Sequence, residues 1–332
     1  MLLLTLLACS GRTCLSVHDQ PTVPDWDPTA LSLYGPADPF LQPIAAESAL
    51  SSGSATQVQG IISEARRGAQ VVVSEWTVPV YVADGSTPTY DISLDAGWAP
   101  YSTLIGVPIP DHAVPDPQDD GHLAIIDTET HTEYDFWQLC GTDGSYDASW
   151  GNLLPSDGDG IFAHGYSARG SGFALVNGLI WPHELERGEI DHALLFSYDL
   201  TRKGGPVSPA TESDGTGSGD DTLPEGARIQ LEPSLDVGDL GLDPWEETIA
   251  RALQTYGAFL GDDGGGFSLY AVHPASFPQG EAVYDGLLPV DSEGMAGFSD
   301  RFPFEHLRVL AFGAQDDSAA DHTQVDQPER FR

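Results

Sequence analysis

DDGHLAIIDTETHTEYDFWQ, residues 119–138, is the densest hairpin signal in the chain and carries its most chemically capable side chains. Two β-rich runs, His122 to Ile126 and Tyr134 to Trp137, flank the polar turn TETHT. Side chains alternate along a strand, so His122, Ala124 and Ile126 share one face, and Leu123, Ile125 and Asp127 share the other. In the second run Glu133, Asp135 and Trp137 oppose Tyr134, Phe136 and Gln138. Pairing the strands gathers a histidine, a tryptophan and two or three carboxylates at a sheet surface. That surface is read either as a solvated polar face or as the floor of a site.

Outward from the hairpin the pattern stays β-rich. QVVVSEWTVPVYV, residues 70–82, is β-branched and aromatic, with Pro79 marking a bulge or an edge. Shorter strands are expected at Tyr90–Leu94, Ser102–Val107, Ile190–Tyr198, Ala227–Leu231, Phe267–Val272 and His306–Ala311. Helical spacing appears at Val58, Ile61, Ile62 and Ala65, with Gly68 as the stop. A second helix opens at Asp243-Pro244, carries Trp245, Ile249, Leu253, Tyr256 and Leu260 on one stripe, and is expected to end at Gly261. Pro182 to Arg187 predicts a single turn closed by Gly188. Short strands separated by Gly, Pro and Asp predict a mainly β fold, an antiparallel β-sandwich or jelly roll with one or two packed helices.

The chain begins MLLLTLL and continues Leu6-Leu7-Ala8-Cys9-Ser10, which resembles a bacterial lipoprotein signal with Cys9 as the acylated residue. The apolar run is too short to span a bilayer, which needs about 20 residues. It lacks a basic leader, which fits either a marginal signal or a start upstream of Met1. Residues 1–9 are therefore expected to be a signal segment and 10–54, rich in Pro, Ser, Asp and Ala, a flexible tether. Residues 55–315 form one β-sandwich domain, and 316–332 a frayed polar tail. Of three cysteines, Cys14 and Cys140 remain beside Cys9, and a disulfide between them is not expected because Cys14 lies in the tether.

Formal net charge is −38, and Lys203 is the single lysine among thirteen basic residues. Such a field repels phosphate backbones and anionic lipid surfaces, which excludes nucleic acid as a partner and leaves the Cys9 lipid as the route to a membrane. GHLAIIDTETHTEYDFWQ, SARGSGFALVNGLIWPHEL, GEIDHALLFSYDL and TIARALQTYGAFLGDDGG, in that order, resemble a family of uncharacterised secreted bacterial proteins over roughly residues 70–312. The resemblance implies an exported, single-domain protein and brings no activity, cofactor or catalytic residue with it.

Three constellations are candidates for chemistry. Asp127, Glu133 and Asp135 offer the two carboxylates, about 5 to 10 Å apart, that glycoside hydrolysis needs, and Trp137 offers a face on which a sugar ring stacks. The plainer reading of these acids is a solvated strand face. His122, His164 and His192 are candidate bases, with His122 and His192 each opening a strand and expected at one rim. No metal-ligand spacing joins them, which favours structural histidines. Arg169 in SARGSG is the best-placed cation for a uronate carboxylate, as a polysaccharide lyase would require. Asp157 and Asp159 in SDGDG, or Asp262 and Asp263 in GDDGGG, suit Ca²⁺ by ligand type but match no EF-hand, so turn formation is preferred and no cofactor is expected. Rim aromatics Trp98, Trp137, Trp150 and Trp181 complete an expectation of an exported surface lipoprotein acting on extracellular polysaccharide or glycan, as a glycosidase or lyase. A surface module that binds glycan or protein without catalysis is the alternative.

Overall fold

A computed structural model describes residues 22–31, 33–142, 145–163, 166–317 and 328–332, with backbone pairing alone for 6–9 and 12–15. In chain order the elements are β1 (Leu6–Cys9), β2 (Arg12–Leu15), α1 (Ser54–Gly68), β3 (Gln70–Val72), β4 (Val80–Ala83), β5 (Thr89–Leu94), β6 (Thr103–Pro108), β7 (Leu123–Asp127), β8 (Thr132–Trp137) and β9 (Cys140–Thr142). There follow β10 (Ser145–Ala148), β11 (Trp150–Pro155), α2 (Pro182–Arg187), β12 (Leu194–Tyr198), β13 (Arg228–Leu231), α3 (Pro244–Thr255), β14 (Ala258–Asp263), β15 (Ser268–Tyr270), β16 (Met295–Gly297) and β17 (Leu307–Val309). The fold is mainly β with few helices, as the short alternating runs predict.

Besides the β1–β2 pair, three sheets form, in the orders β6-β5-β10-β9, β11-β8-β7-β4 and β16-β3-β15-β12-β14-β13-β17. All three are mixed rather than purely antiparallel: β10 runs parallel to β5, β4 to β7, β3 to β15 and β12 to β14. The middle sheet is covered on both faces. Tyr81, Leu123, Ile125, Tyr134 and Phe136 pack against Ile92, Leu104 and Val107 of the first sheet. Val80, Ala124 and Ile126 face the other way, towards Val72, Leu195, Phe259 and Tyr270 of the large sheet. The far side of the large sheet buries Val71, Phe196, Ile229 and Leu260 under Ile61 of α1 and Ile249 and Leu253 of α3. Sheet, sheet, sheet and helices are thus stacked, and apolar alternation supplies each interface.

The central hairpin forms as expected, and its register sets Ala124 opposite Asp135 and Ile126 opposite Glu133. Asp127 is spent on its turn: Oδ1 accepts from the Glu129 and Thr130 amides at 3.0 and 3.2 Å, and Oδ2 from the Thr130 hydroxyl at 2.7 Å.

Two boundaries differ from expectation, and both shape the site. The Asp243 helix stops at Thr255 instead of running to Gly261, because Gly257 turns the chain at φ +69° with its Cα against the Ile229 carbonyl, where a Cβ would sit 2.1 Å from the oxygen. Phe259 and Leu260 then belong to β14, which carries Asp262 and Asp263 to the end of a central strand. Within residues 10–54, read as a tether, Tyr34 and Phe40 are core residues. Phe40 is 1% exposed, with ring centroids 5.1 Å from Phe173 and 4.8 Å from Phe259. Burying a phenylalanine fully stabilises by roughly 2–3 kcal/mol, so this stretch holds the domain together. Cys140 is disulfide-bonded, against expectation, and β2, which contains Cys14, packs against β9, which contains Cys140. No helix among the described residues is long and apolar enough to cross a membrane.

Candidate functional site

A cleft of about 780 Å³ opens where the ends of β7 and β8 meet β3, β12, β14 and β15. The hairpin contributes its ends only, with His122 entering β7, Trp137 leaving β8, and Asp120 just ahead of them. The large sheet contributes Asp262, Asp263, Ser197 and Tyr270. Two loops close the walls, Ser167–Gly170 of the SARGSG motif and Glu212–Asp214 of the Gly-rich stretch 204–226. Gly170 lets them approach closely, since a Cβ there would lie 2.6 Å from the Asp214 carboxyl as it is placed. Trp76 and Trp98 rim the opening, 39% and 52% exposed, and Trp98 stacks on Tyr166 at 5.7 Å. Trp76, Gln138 and Tyr166 all hold positive φ, at 60°, 56° and 58°, a backbone strain of the kind that gathers at binding sites.

Arg169 is the cation of the cleft. It is 2% exposed, and its guanidinium lies over the Tyr270 ring at 5.4 Å. Nη2 donates to the Leu175 carbonyl at 3.3 Å. Nε and Nη1 are buried and make no hydrogen bond among the described residues; the Asp262 carboxylate stands 3.9 Å from Nε. A buried guanidinium with two open donors is costly unless an acceptor arrives.

The acids around it are poised to hold protons. Burial raises Asp262 well above the usual carboxylate range; the Arg169 guanidinium offsets this only in part, and the Asp214 charge adds to it. Burial raises Asp214, with Asp263 adding to the rise. Glu212 is pushed up to about 7 by burial although it accepts from the Tyr166 amide at 2.8 Å. Behind them Glu225 is fully buried, raised well above its usual range by burial and then by Asp214, whose amide it accepts at 3.1 Å. His122 is neutral: its Nε2–H donates to the Ala168 carbonyl at 3.1 Å, and burial lowers its pKa. Proton donors and acceptors crowded about one aromatic-walled space can protonate a leaving group and activate a water.

The remaining sequence candidates lie elsewhere. Glu133 and Asp135 share the His122 and Trp137 face as expected, but that face is roofed by residues 173–181, and both carboxyls are 0% exposed. Asp135 Oδ2 accepts from the Leu175 amide at 2.8 Å, and Glu133 from the Val176 amide at 3.3 Å and the Tyr34 hydroxyl. Burial raises both pKa values, and the Glu133 charge raises Asp135 further, so the pair retains a proton. They tie a crossing segment to the sheet and do not line the cleft. His192 is not at the rim with His122. Its Nδ1–H donates to the Ala193 carbonyl at 2.9 Å and Nε2 faces Glu184 at 3.2 Å; burial lowers its pKa, and Glu184 more than offsets that, leaving it raised. His164 lies outside the described residues.

Trp150 is a core residue, stacked on Phe331 at 5.8 Å, and Trp181 is buried edge-on to Trp26 at 6.1 Å, so neither is a rim aromatic. Asp159 caps a turn by accepting from the Ile161 amide at 3.2 Å. Among the described residues no three His, Cys, Asp or Glu side chains are grouped to hold a metal, at Asp157 and Asp159 or at Asp262 and Asp263. The side chain of Cys9 also falls outside the described residues. Sequence reasoning missed Trp76, Asp120, Glu212 and Asp214. The one available signal was that ARG-SGF and SDG-TGSGDD are glycine-rich loops long enough to bind.

Comparison with protein-family models, curated proteins and solved structures found no match. The functional reading therefore rests on the cleft.

Proposed function

We propose that the protein is exported and hydrolyses a glycosidic bond of extracellular carbohydrate in this cleft. The observation that carries the reading is a pair of interacting carboxyls, Asp262 and Asp214, that line one aromatic-rimmed cavity beside the Arg169 guanidinium, both with pKa values raised by burial. Two like charges in one low-dielectric site do not both ionise. Asp262, buried beside the Arg169 guanidinium with its pKa raised, serves as general acid to the departing sugar oxygen. Asp214 serves as base or nucleophile on the opposite side of the bond. Trp98 and Trp76 stack on sugar rings at the mouth.

Hydrolysis is favoured over elimination from a uronate. A lyase must neutralise the uronate carboxylate, and here one guanidinium faces five acidic side chains, Asp120, Glu212, Asp214, Asp262 and Asp263. The Cys140 disulfide supports an oxidising compartment, and Cys9 is the residue through which a lipid would anchor the chain. Release of reducing ends from a panel of polysaccharides tests the reading. Asp262→Asn should abolish turnover and retain binding. Binding without turnover in the wild-type protein would instead favour a glycan-binding module.

A further inference from the structure

We propose that the cleft selects a cationic carbohydrate, an oligomer of amino sugars with free ammonium groups, over neutral or uronate-bearing chains of equal length. This rests on the reading of the cleft as a glycan site and names the class of glycan it takes.

Two independent features fix the class. The first is charge: five carboxyl side chains line the cavity against Arg169 alone. Burial by itself favours the protonated forms of Asp262, Asp214, Glu212 and Asp263, and an arriving cation favours their ionised forms. His122 adds no positive charge because its Nε2–H is committed to the Ala168 carbonyl and burial disfavours its charged form. An incoming carboxylate would meet this field with one guanidinium to offset it, and that guanidinium already has Asp262 at 3.9 Å. An ammonium group gains from each ionised acid and from the faces of Trp76, Trp98 and Tyr270.

The second feature is the Arg169 side chain, 2% exposed, lining the cavity with Nε and Nη1 open. Those donors take an oxygen acceptor, which a simple amine lacks and which a hydroxyl supplies without adding negative charge to the cleft. A neutral sugar supplies the oxygen but leaves the acids without a countercharge. An amino sugar places a hydroxyl and an ammonium group on adjacent carbons and satisfies both. The net charge of −38 also concentrates cationic polymer near the protein.

The test is calorimetric titration of the full chain, in one near-neutral buffer, with equal-length oligomers of glucosamine, N-acetylglucosamine and galacturonic acid. The expected result is that the glucosamine oligomer binds at least about tenfold more tightly than its acetylated counterpart, with the difference shrinking as salt is added. Asp263→Asn should narrow the ratio, and an unchanged ratio counts against selection by these acids. Equal affinity for the acetylated and free amines overturns the cationic class and leaves the glycan reading standing. Tighter binding of the galacturonate oligomer overturns it in favour of an anionic substrate anchored by Arg169. Failure of all three to bind removes the glycan reading itself.

Discussion

Two sets of carboxyls lie within one molecule and differ in a single respect. Glu133 and Asp135 sit beneath a crossing segment, with three of their four carboxyl oxygens accepting from the Val176 and Leu175 amides and the Tyr34 hydroxyl. Asp262, Asp214 and Glu212 are likewise raised by burial but line a cavity. A shifted pKa is therefore shared by a structural clasp and a working site, and access to a ligand separates them. The sheet pair spends its charge on backbone donors. The cleft acids line a space that a substrate can enter.

The sharpest way to break this contrast is by substitution on both sides. Asp262→Asn should lower turnover by about 10²–10⁴-fold, the usual worth of a general acid, with the unfolding midpoint close to wild type. Glu133→Ala should do the reverse. It strands the Tyr34 hydroxyl and the Val176 amide in the interior, and two unsatisfied buried donors cost about 2–5 kcal/mol. Chemical denaturation should register that loss while turnover per folded molecule stays unchanged. A smaller effect is expected at the mouth, where Trp98→Ala should weaken oligosaccharide binding about tenfold with the catalytic step unaltered. Trp150→Ala, in contrast, should unfold the first two sheets by opening a cavity where its ring stacks on Phe331.

The smallest expected effect is on pH. Folding raises Glu212 from its ordinary 4.5 to about 7, so across that interval the folded state binds more protons than the unfolded one. The Glu212 contribution to stability should fall as pH rises from about 4.5 to 7 and level off above, the opposite of a carboxylate stabilised by a salt bridge. Asp135, also raised, adds to the same slope. Glu212→Gln should lessen the slope over this window, read as denaturation midpoints against pH, with Asp38 and Asp116, each also raised to about 7 by burial, supplying the remainder. A stability that climbs with pH there would contradict the burial of these acids.

Much of the fold is legible in the sequence because its signals are local. Alternation from His122 to Trp137 sets the hairpin, its register and the side chains that share a face, and Pro182 and Gly188 bracket α2. The site is legible only in part, since His122, Trp137, Arg169, Asp262 and Asp263 do meet at the cleft. What escapes is long-range. Nothing near Glu133 announces that Leu175 and Val176 will cross above it, some forty residues on in the chain. Phe40 looks like a stray aromatic in a polar stretch until Phe173 and Phe259 enclose it. Asp214 stands in a Gly-rich loop of featureless composition, and only the packing of that loop against Gly170 brings it to the cleft. Gly257 and Gly261 are equivalent stops by sequence. The steric demand of the Ile229 carbonyl chooses between them.

The most direct measurement follows the indole N–H resonances of the tryptophans while the tightest-binding member of the oligosaccharide panel is added. Trp76, Trp98 and Trp137 at the cleft should shift together and saturate at one affinity, with Trp181 and Trp245 in the interior unmoved. Shifts confined to other tryptophans, with the three cleft indoles silent at saturation, would contradict the assignment of this cleft as the binding site.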